Sequence, residues 1–164
     1  DDVIIYDPEQ DQWDYGSPMS TRKMNAEAMA VIDNIIVLGG RNESGILTDT
    51  QIYFPPRDFS DEYPWELFIS LPNDLSRFCA AAISESIYLF EDSNSDDGLR
   101  ENQGYQLIND EWSLIDLDDL EIFNSNCVSL GSSIYLLFSN ENGNAMKLQK
   151  YQADYYEIFL PIIE

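Results

Sequence analysis

The sequence predicts an all-β protein made of repeated units, and three observations lead to this fold class. The 164-residue chain is 44% hydrophobic and 13% aromatic, enough apolar material for a packed core. Few stretches follow the 3.6-residue period of a helix. Short apolar runs recur instead, separated by polar turns. This alternation is typical of a chain of β-hairpins.

Three segments of eight residues align without gaps, and each predicts a hairpin. They are 31–38, 83–90 and 130–137, and their starting residues differ by 52 and 47 positions. Each contains an apolar strand, a two-residue polar turn and a second apolar strand. The turns are predicted at Asp33-Asn34, Glu85-Ser86 and Ser132-Ser133. Residues of the second strands, paired on both sides, are predicted to be buried: Ile35, Val37, Ile87, Leu89, Ile134 and Leu136.

The similarity continues after each hairpin with a glycine-bearing loop and two aromatic residues. The aromatic pairs are Tyr53 and Trp65, Tyr105 and Trp112, and, in a weaker form, Tyr151 and Tyr156. The N-terminus carries this second half alone, as Tyr6 and Trp13. Their spacing of seven residues equals that from Tyr105 to Trp112.

Each unit therefore predicts four short strands in about 44 to 52 residues, which is typical of a β-propeller blade. The predicted domain, 1–164, contains a half-blade at 1–16 and blades at 24–70, 76–116 and 124–160. Propellers close with about four to eight blades. The sequence therefore predicts a partial propeller, completed either by further blades of a parent chain or by a second copy.

The order of strand, Gly39-Gly40, loop, Tyr53 and Trp65 resembles the kelch repeat, as does Tyr6-Asp7-Pro8 followed by Trp13. The double glycine becomes Glu91-Asp92 and Ser139-Asn140 in the later units. A glycine pair allows positive φ and close backbone approach, and aromatic rings fill the space between blades. Blade packing is accordingly assigned to one set of residues: Gly39, Gly40, Tyr6, Trp13, Tyr53, Trp65, Tyr105, Trp112 and Tyr151.

Composition excludes several functions. The chain has no histidine, which excludes a Ser-His-Asp triad and imidazole-bound metals within it. With 8 basic and 31 acidic residues the formal charge is −23, which disfavours nucleic acids and anionic membranes. Two cysteines, Cys79 and Cys127, set no disulfide framework and are expected to be buried thiols. The sequon Asn42-Glu43-Ser44 is compatible with secretion, and the compartment stays open between cytoplasm and secretion.

Two acidic segments are candidate binding sites. Asp92, Asn94 and Asp96 have the spacing that begins a calcium loop, although Asp97 replaces the glycine that such a loop needs. We expect a solvated acidic loop there and no cofactor, with calcium as the alternative. The run 116–121 alternates acids with leucines, and its acids are expected to face water, with docking of a basic partner as the alternative.

The arginines are scarcer than the acids and more informative. Arg22 and Arg77 precede inner strands, whereas Arg41 and Arg100 lie in loops after second strands. The resemblance to kelch propellers implies that such loops surround a central channel and that in some members their arginines hold acidic peptides. A guanidinium matches a carboxylate with two parallel hydrogen bonds. Pairing of each arginine with a local acid is the alternative.

The predicted function is a non-catalytic protein-interaction module that presents loops to a protein or peptide partner. Rigid scaffolds with variable loops suit recognition, and no catalytic constellation is visible in the sequence. The resemblance also implies a role as an adaptor that recognises substrates. The alternative is a carbohydrate-active or carbohydrate-binding propeller that resembles the sugar epimerases and uses Arg and Glu.

Overall fold

A computed structural model of the chain describes residues 2–60, 62–75, 77–91, 103–117, 125–139 and 146–152. These residues form fifteen strands and one short 3₁₀ helix, so the all-β prediction is confirmed. All strand pairs are antiparallel, and the strands of each larger sheet follow one another in chain order. Each larger sheet is therefore a meander.

The chain begins with a hairpin of β1 (Val3–Asp7) and β2 (Gln12–Gly16). Tyr6 lies directly opposite Trp13. The Asp7 carboxylate accepts the backbone N–H groups of Glu9 at 2.8 Å and Gln10 at 3.2 Å, which closes the turn. This N-terminal hairpin corresponds to the predicted half-unit.

The first sheet has the order β3-β4-β7-β8. Its strands are β3 (Glu27–Val31), β4 (Asn34–Leu38), β7 (Thr50–Tyr53) and β8 (Trp65–Phe68). A small hairpin of β5 (Arg41–Asn42) and β6 (Gly45–Ile46) lies between β4 and β7. The 3₁₀ helix Pro55–Phe59 connects β7 to β8 and accommodates the proline pair of the insertion that separates Tyr53 from Trp65.

The second and third sheets repeat this arrangement. The second contains β9 (Phe78–Ile83), β10 (Ser86–Glu91), β11 (Gly104–Ile108) and β12 (Glu111–Ile115). The third contains β13 (Asn126–Leu130), β14 (Ser133–Ser139) and β15 (Met146–Gln152). The fourth strand predicted for the last unit falls at 153–160, outside the described residues.

The turns of the three hairpins lie one residue earlier than predicted. Val31 pairs with Asn34, Ile83 with Ser86, and Leu130 with Ser133. The first residue of each turn has positive φ: 55° at Ile32, 55° at Ser84 and 61° at Gly131. Polarity alone misplaced the turns, because hydrogen-bonded pairing extends each second strand back to include the second polar residue of the predicted turn.

The sheets stack face to face, and alternate residues of each second strand contact opposite neighbours. Ile87 and Leu89 of β10 pack against the first sheet, whereas Tyr88 and Phe90 pack against the third. Ile87, Leu89, Ile134, Leu136 and Val37 are buried, as expected. Ile35, however, is 39% exposed, so that prediction was wrong. The face of the first sheet that carries Ile35 packs against the N-terminal hairpin through a small cluster that contains Val3 and Val37. Ile35 lies outside this cluster.

Successive sheets approach most closely through their first strands. β3 lies beside β9, and β9 lies beside β13. The first strands of the three sheets therefore lie side by side, and the later strands of each sheet extend away from them. This arrangement brings equivalent loops of successive sheets to common edges.

Candidate functional site: the arginine edge

Three predicted arginines lie at one edge of the first two sheets. β3 begins at Glu27, which pairs with the last residue of β4, and β9 begins at Phe78, which pairs with the last residue of β10. Arg22 and Arg77 precede these starts, and Arg41 follows the end of β4; all three are exposed. We call this the arginine edge: the edge at which β3, β7, β9 and β11 begin.

The glycine pair holds Arg41 close to Arg22. Gly39 and Gly40 have φ of 54° and 86°, and the chain then turns so that Arg41 forms a two-way backbone bridge with Met24, both N···O distances being 2.9 Å. A Cβ on Gly40 would lie 2.8 Å from the Met24 carbonyl oxygen. Glycine is therefore required there by backbone conformation and by close approach.

The same turn connects the two sheets. A Cβ on Gly39 would lie 2.7 Å from Leu71 and 3.3 Å from the Phe78 ring. The end of β4 and the start of β9 are thus in contact. Arg41 follows Gly39 closely in sequence and Arg77 directly precedes Phe78. The two arginines consequently lie at the same edge of the first two sheets.

A buried network of hydrogen bonds and one ion pair stabilises the backbone of the arginine edge. The Lys23 side chain is fully buried; its ammonium lies 3.0 Å from the Asp49 carboxylate and donates to the Asp49 carbonyl at 2.6 Å. Gln51 donates to Asp49 at 3.2 Å, and its amide oxygen accepts the Ser20 hydroxyl at 2.9 Å. A buried charge needs such partners. The network fixes segment 20–23, and with it the backbone of Arg22.

A groove of about 500 Å³ opens between the first two sheets at this edge. Beside it, Asn73 donates to the Tyr105 hydroxyl at 2.7 Å, and that hydroxyl donates to the Gln103 side chain at 2.5 Å. Tyr105 itself is buried. The predicted packing residue thus also holds two groove residues in place. The lining is mixed polar and apolar: Thr48, Leu71, Pro72, Asn73, Asp74 and Gln103.

Two acids near this edge are withdrawn from solvent. Glu91 occupies the position in the second unit that Gly39 occupies in the first, and it is 4% exposed. Burial raises the pKa of Glu27 at the start of β3. The Asp49 carboxylate is paired with the Lys23 ammonium, and Asp74, which lines the groove, is exposed.

The aromatic residues assigned to packing fall into two groups. Tyr53 and Trp65 are 4% and 7% exposed, with ring centroids 4.8 Å apart. Trp112 packs against the cluster between the first and second sheets, and Tyr151 against the cluster between the second and third. Tyr6 and Trp13 are also 4.8 Å apart, but they are 43% and 67% exposed. The described residues leave this pair exposed, so its assignment to blade packing stays a prediction.

Burial and the neighbouring Asp58 raise the pKa of Tyr53, whose hydroxyl donates to Asp58 at 2.7 Å. Burial opposes ionisation of Asp58, but hydrogen bonds from Ser17 and Tyr53 outweigh it and lower the pKa of that carboxyl. The backbone N–H of Ser17 donates to Asp58 at 2.9 Å. Asp58 thereby ties the end of the N-terminal hairpin to the first sheet.

Several predicted residues lie outside the described part of the chain. These are Arg100, the calcium candidates Asp92, Asn94 and Asp96, and most of the acidic run, 118–121. Within the described ranges no group of three or more Cys, Asp or Glu side chains is placed to hold a metal ion. The same ranges contain no helix that is long and apolar enough to cross a membrane.

Sequence reasoning missed two basic residues. Lys23 is the buried ion that holds the arginine edge, and only its unusual position beside Arg22 could have suggested a role. Arg57 pairs with Glu62 and Glu66 and lies over the Phe54 ring, 4.0 Å from its centroid. It follows the end of β7 and so lies at the edge opposite the arginine edge.

The fold and site define an all-β protein of stacked antiparallel meanders with a loop-bearing edge. No family model matches the chain. Kelch-like protein 36 of Bos taurus is 26% identical over 84 residues, which are 51% of this chain and 13% of that protein. The chain is therefore similar over half its length to a kelch-like protein, and the matched part is a small share of that relative.

Proposed function

We propose that this chain is an arc of kelch-type propeller blades whose arginine edge binds an acidic segment of a protein partner. The similarity to a kelch-like protein and the meander sheets that stack through their first strands support this architecture. Four-stranded meanders stacked in this way are the building units of propellers.

The observation that carries the proposal is that Arg22, Arg41 and Arg77 all lie at one edge of the first two sheets. Arg22 and Arg77 lie in the connections before β3 and β9, and Arg41 begins the short strand β5, in a chain with 8 basic residues against 31 acidic ones. Three of the few basic residues of the chain therefore lie along the same edge of two neighbouring sheets. Arginine is also enriched among the residues that dominate binding at interfaces.

The chemistry of the edge favours an extended acidic peptide. Guanidinium groups bind carboxylates with two parallel hydrogen bonds, and each charged hydrogen bond contributes about 1.5–3 kcal/mol. The neighbouring groove offers amide groups from Asn73 and Gln103 for polar contacts with a peptide backbone. Its volume of about 500 Å³ accommodates one or two side chains of the ligand.

The proposal is tested by fluorescence anisotropy with three labelled peptides of equal length: one acidic, one neutral and one basic. We expect the acidic peptide to bind most tightly despite the net charge of the protein. Replacing Arg41 and Arg77 together by alanine should weaken that binding about tenfold or more.

The matched control is Arg57→Ala, which removes an arginine from the opposite edge and should leave the affinity unchanged. Thermal unfolding of each variant checks that the fold is retained. Preferential binding of the basic peptide, or equal weakening by Arg57→Ala, would contradict the proposal.

A further inference from the structure

Each sheet has two distinct faces, which follow from the way the sheets stack. The forward face contacts the next unit along the chain; in β10 it carries Tyr88 and Phe90. The backward face contacts the preceding unit; there β10 carries Ile87 and Leu89. Both interfaces between successive larger sheets join a forward face to a backward face. The stack is therefore directional.

The two ends of the stack leave one face of each kind uncovered by the described residues. The N-terminal hairpin exposes its backward face, the side of Tyr6 and Trp13, and the third sheet exposes its forward face, the side of Leu137. The hairpin face presents Ile4 (58% exposed), Tyr6 (43%), Trp13 (67%) and Tyr15 (84%). The sheet face presents Val128 (63%), Leu130 (71%), Leu137 (41%) and Leu148 (68%).

The hairpin face is large enough to form the apolar part of an interface. An aromatic side chain buries about 150–250 Å² when covered, so the hairpin face offers on the order of 500 Å². A stable interface buries about 800 Å² per partner, with a little over half of it apolar. A shallow cavity of about 390 Å³ on this face is lined by Ile4, Trp13, Asp14 and Tyr15 and can receive a side chain.

The hydrogen bonds of the tryptophan indoles indicate that another unit of the same kind fits on the hairpin face. The Trp65 indole N–H donates to the Ser17 carbonyl at 2.8 Å, and that of Trp112 donates to the Ser70 carbonyl at 2.8 Å. In both cases the acceptor lies just after the last strand of the preceding unit: Ser17 is the first residue after β2 and Ser70 is the second after β8. Trp13 is the equivalent residue, and among the described residues its indole N–H has no hydrogen-bond partner.

The charges of the two ends are complementary. The N-terminal hairpin, 3–16, carries Asp7, Glu9, Asp11 and Asp14 and no basic residue. Asp11 accepts the Tyr6 hydroxyl at 2.7 Å beside the hairpin face, whereas the register places Asp7 and Asp14 on the other face of the hairpin. β15 carries Lys147 and Lys150 and no acid, in a chain of net charge −23. Lys150 lies opposite Tyr135 and therefore on the forward face. At physiological salt, where charges are screened over about 8 Å, this local attraction survives while repulsion between distant acids is weakened.

We propose that a second copy of this chain covers the hairpin face, so that copies associate head to tail. The forward face of the third sheet in one copy packs on the backward face of the N-terminal hairpin in the other. This contact repeats the forward-to-backward pairing within the chain and joins the cationic β15 to the acidic hairpin. Such an interface is heterologous: each copy contributes a different surface.

The test measures mass against concentration by light scattering or sedimentation equilibrium. We expect the chain to associate, and both Trp13→Glu and Leu148→Glu to weaken the association about 30-fold or more. Tyr15→Glu, at a still more exposed position, is a second hairpin variant in case Trp13→Glu reduces stability. Leu114→Glu is the matched control, since Leu114 is 68% exposed on β12 and belongs to neither end face.

Mixing the two variants distinguishes head-to-tail association from a hairpin-to-hairpin dimer. Trp13→Glu keeps an intact forward face and Leu148→Glu an intact backward face, so the mixture should form heterodimers and stop at two copies. A hairpin-to-hairpin dimer would ignore Leu148→Glu and would not be rescued by mixing, which would overturn the proposal. A chain that stays monomeric at high concentration, as when another segment or protein covers the faces, would overturn it equally.

Discussion

Ile32 occupies the first position of a hairpin turn with φ of 55°, a conformation that β-branched residues rarely adopt. The same turn position in the third sheet is Gly131, with φ of 61°. Left-handed backbone costs an ordinary L-residue roughly 1–2 kcal/mol, whereas asparagine and glycine adopt it readily. The two turns therefore have the same backbone conformation at this position but residues of opposite preference for it. Substitutions at Ile32 and Gly131 test the energetic cost of that conformation.

Replacing Ile32 by asparagine should stabilise the protein by about 0.5–1 kcal/mol. Relief of the backbone contributes roughly 1–2 kcal/mol. Ile32 is 66% exposed, so only about a third of its side chain is buried, and its loss costs roughly 0.5–1 kcal/mol. Gly131→Ile should cost about 1 kcal/mol, because a Cβ there meets nothing within 4 Å and only the backbone conformation opposes it.

Urea unfolding followed by tryptophan fluorescence measures both changes as shifts of the midpoint at constant slope. Ile4→Asn is the matched control, since Ile4 is 58% exposed in an extended strand and the same substitution should not stabilise there. The reasoning fails if Ile32→Asn destabilises the protein while Gly131→Ile is neutral.

Three further outcomes are expected. The pKa of Asp58 is lowered in the folded protein, so its hydrogen bond with Tyr53 stabilises the fold fully above the ordinary carboxyl pKa, and this stabilisation is lost as pH falls through the folded pKa. Urea titrations at a series of pH values should therefore show a smaller loss of unfolding free energy at acid pH in Asp58→Asn than in the unchanged protein. Trp65→Ala should cost about 3–5 kcal/mol in the free energy of unfolding, because the ring is 7% exposed. The hydrogen bond with the Cys79 thiol and then burial raise the pKa of Cys127, so mass spectrometry should find Cys127 alkylated by iodoacetamide only after unfolding.

Equal spacing in sequence did not give equal pairing. Tyr6 and Trp13 are seven residues apart and lie directly opposite each other. Tyr105 and Trp112 have the same spacing, but Trp112 lies opposite Leu107. The reason is loop length: the first hairpin closes with four residues, and the second with Asn109-Asp110, both at positive φ as a two-residue type I′ turn requires.

The repeat, its strands and the positions of Arg22, Arg41 and Arg77 before or after those strands could be predicted because they depend on local patterns. That Arg41 begins the short strand β5 rather than lying in a loop could not. The buried pairing of Lys23 with Asp49 could not, because it joins residues 26 positions apart and burial of a lysine contradicts its usual preference. Nor could the exposure of Ile35, which depends on how little of its face the neighbouring hairpin covers.

The aromatic pair of the repeat exists in one chain in a covered and an uncovered form. Tyr53 and Trp65 are buried, with rings 4.8 Å apart and tilted by 43°. Tyr6 and Trp13 are exposed, with rings 4.8 Å apart and tilted by 38°. Because the geometry is the same, cross-strand register sets it and the covering unit does not. The exposed pair is therefore already in its packed conformation, and a partner that covers it has little side-chain ordering to impose, which lowers the entropic cost of association.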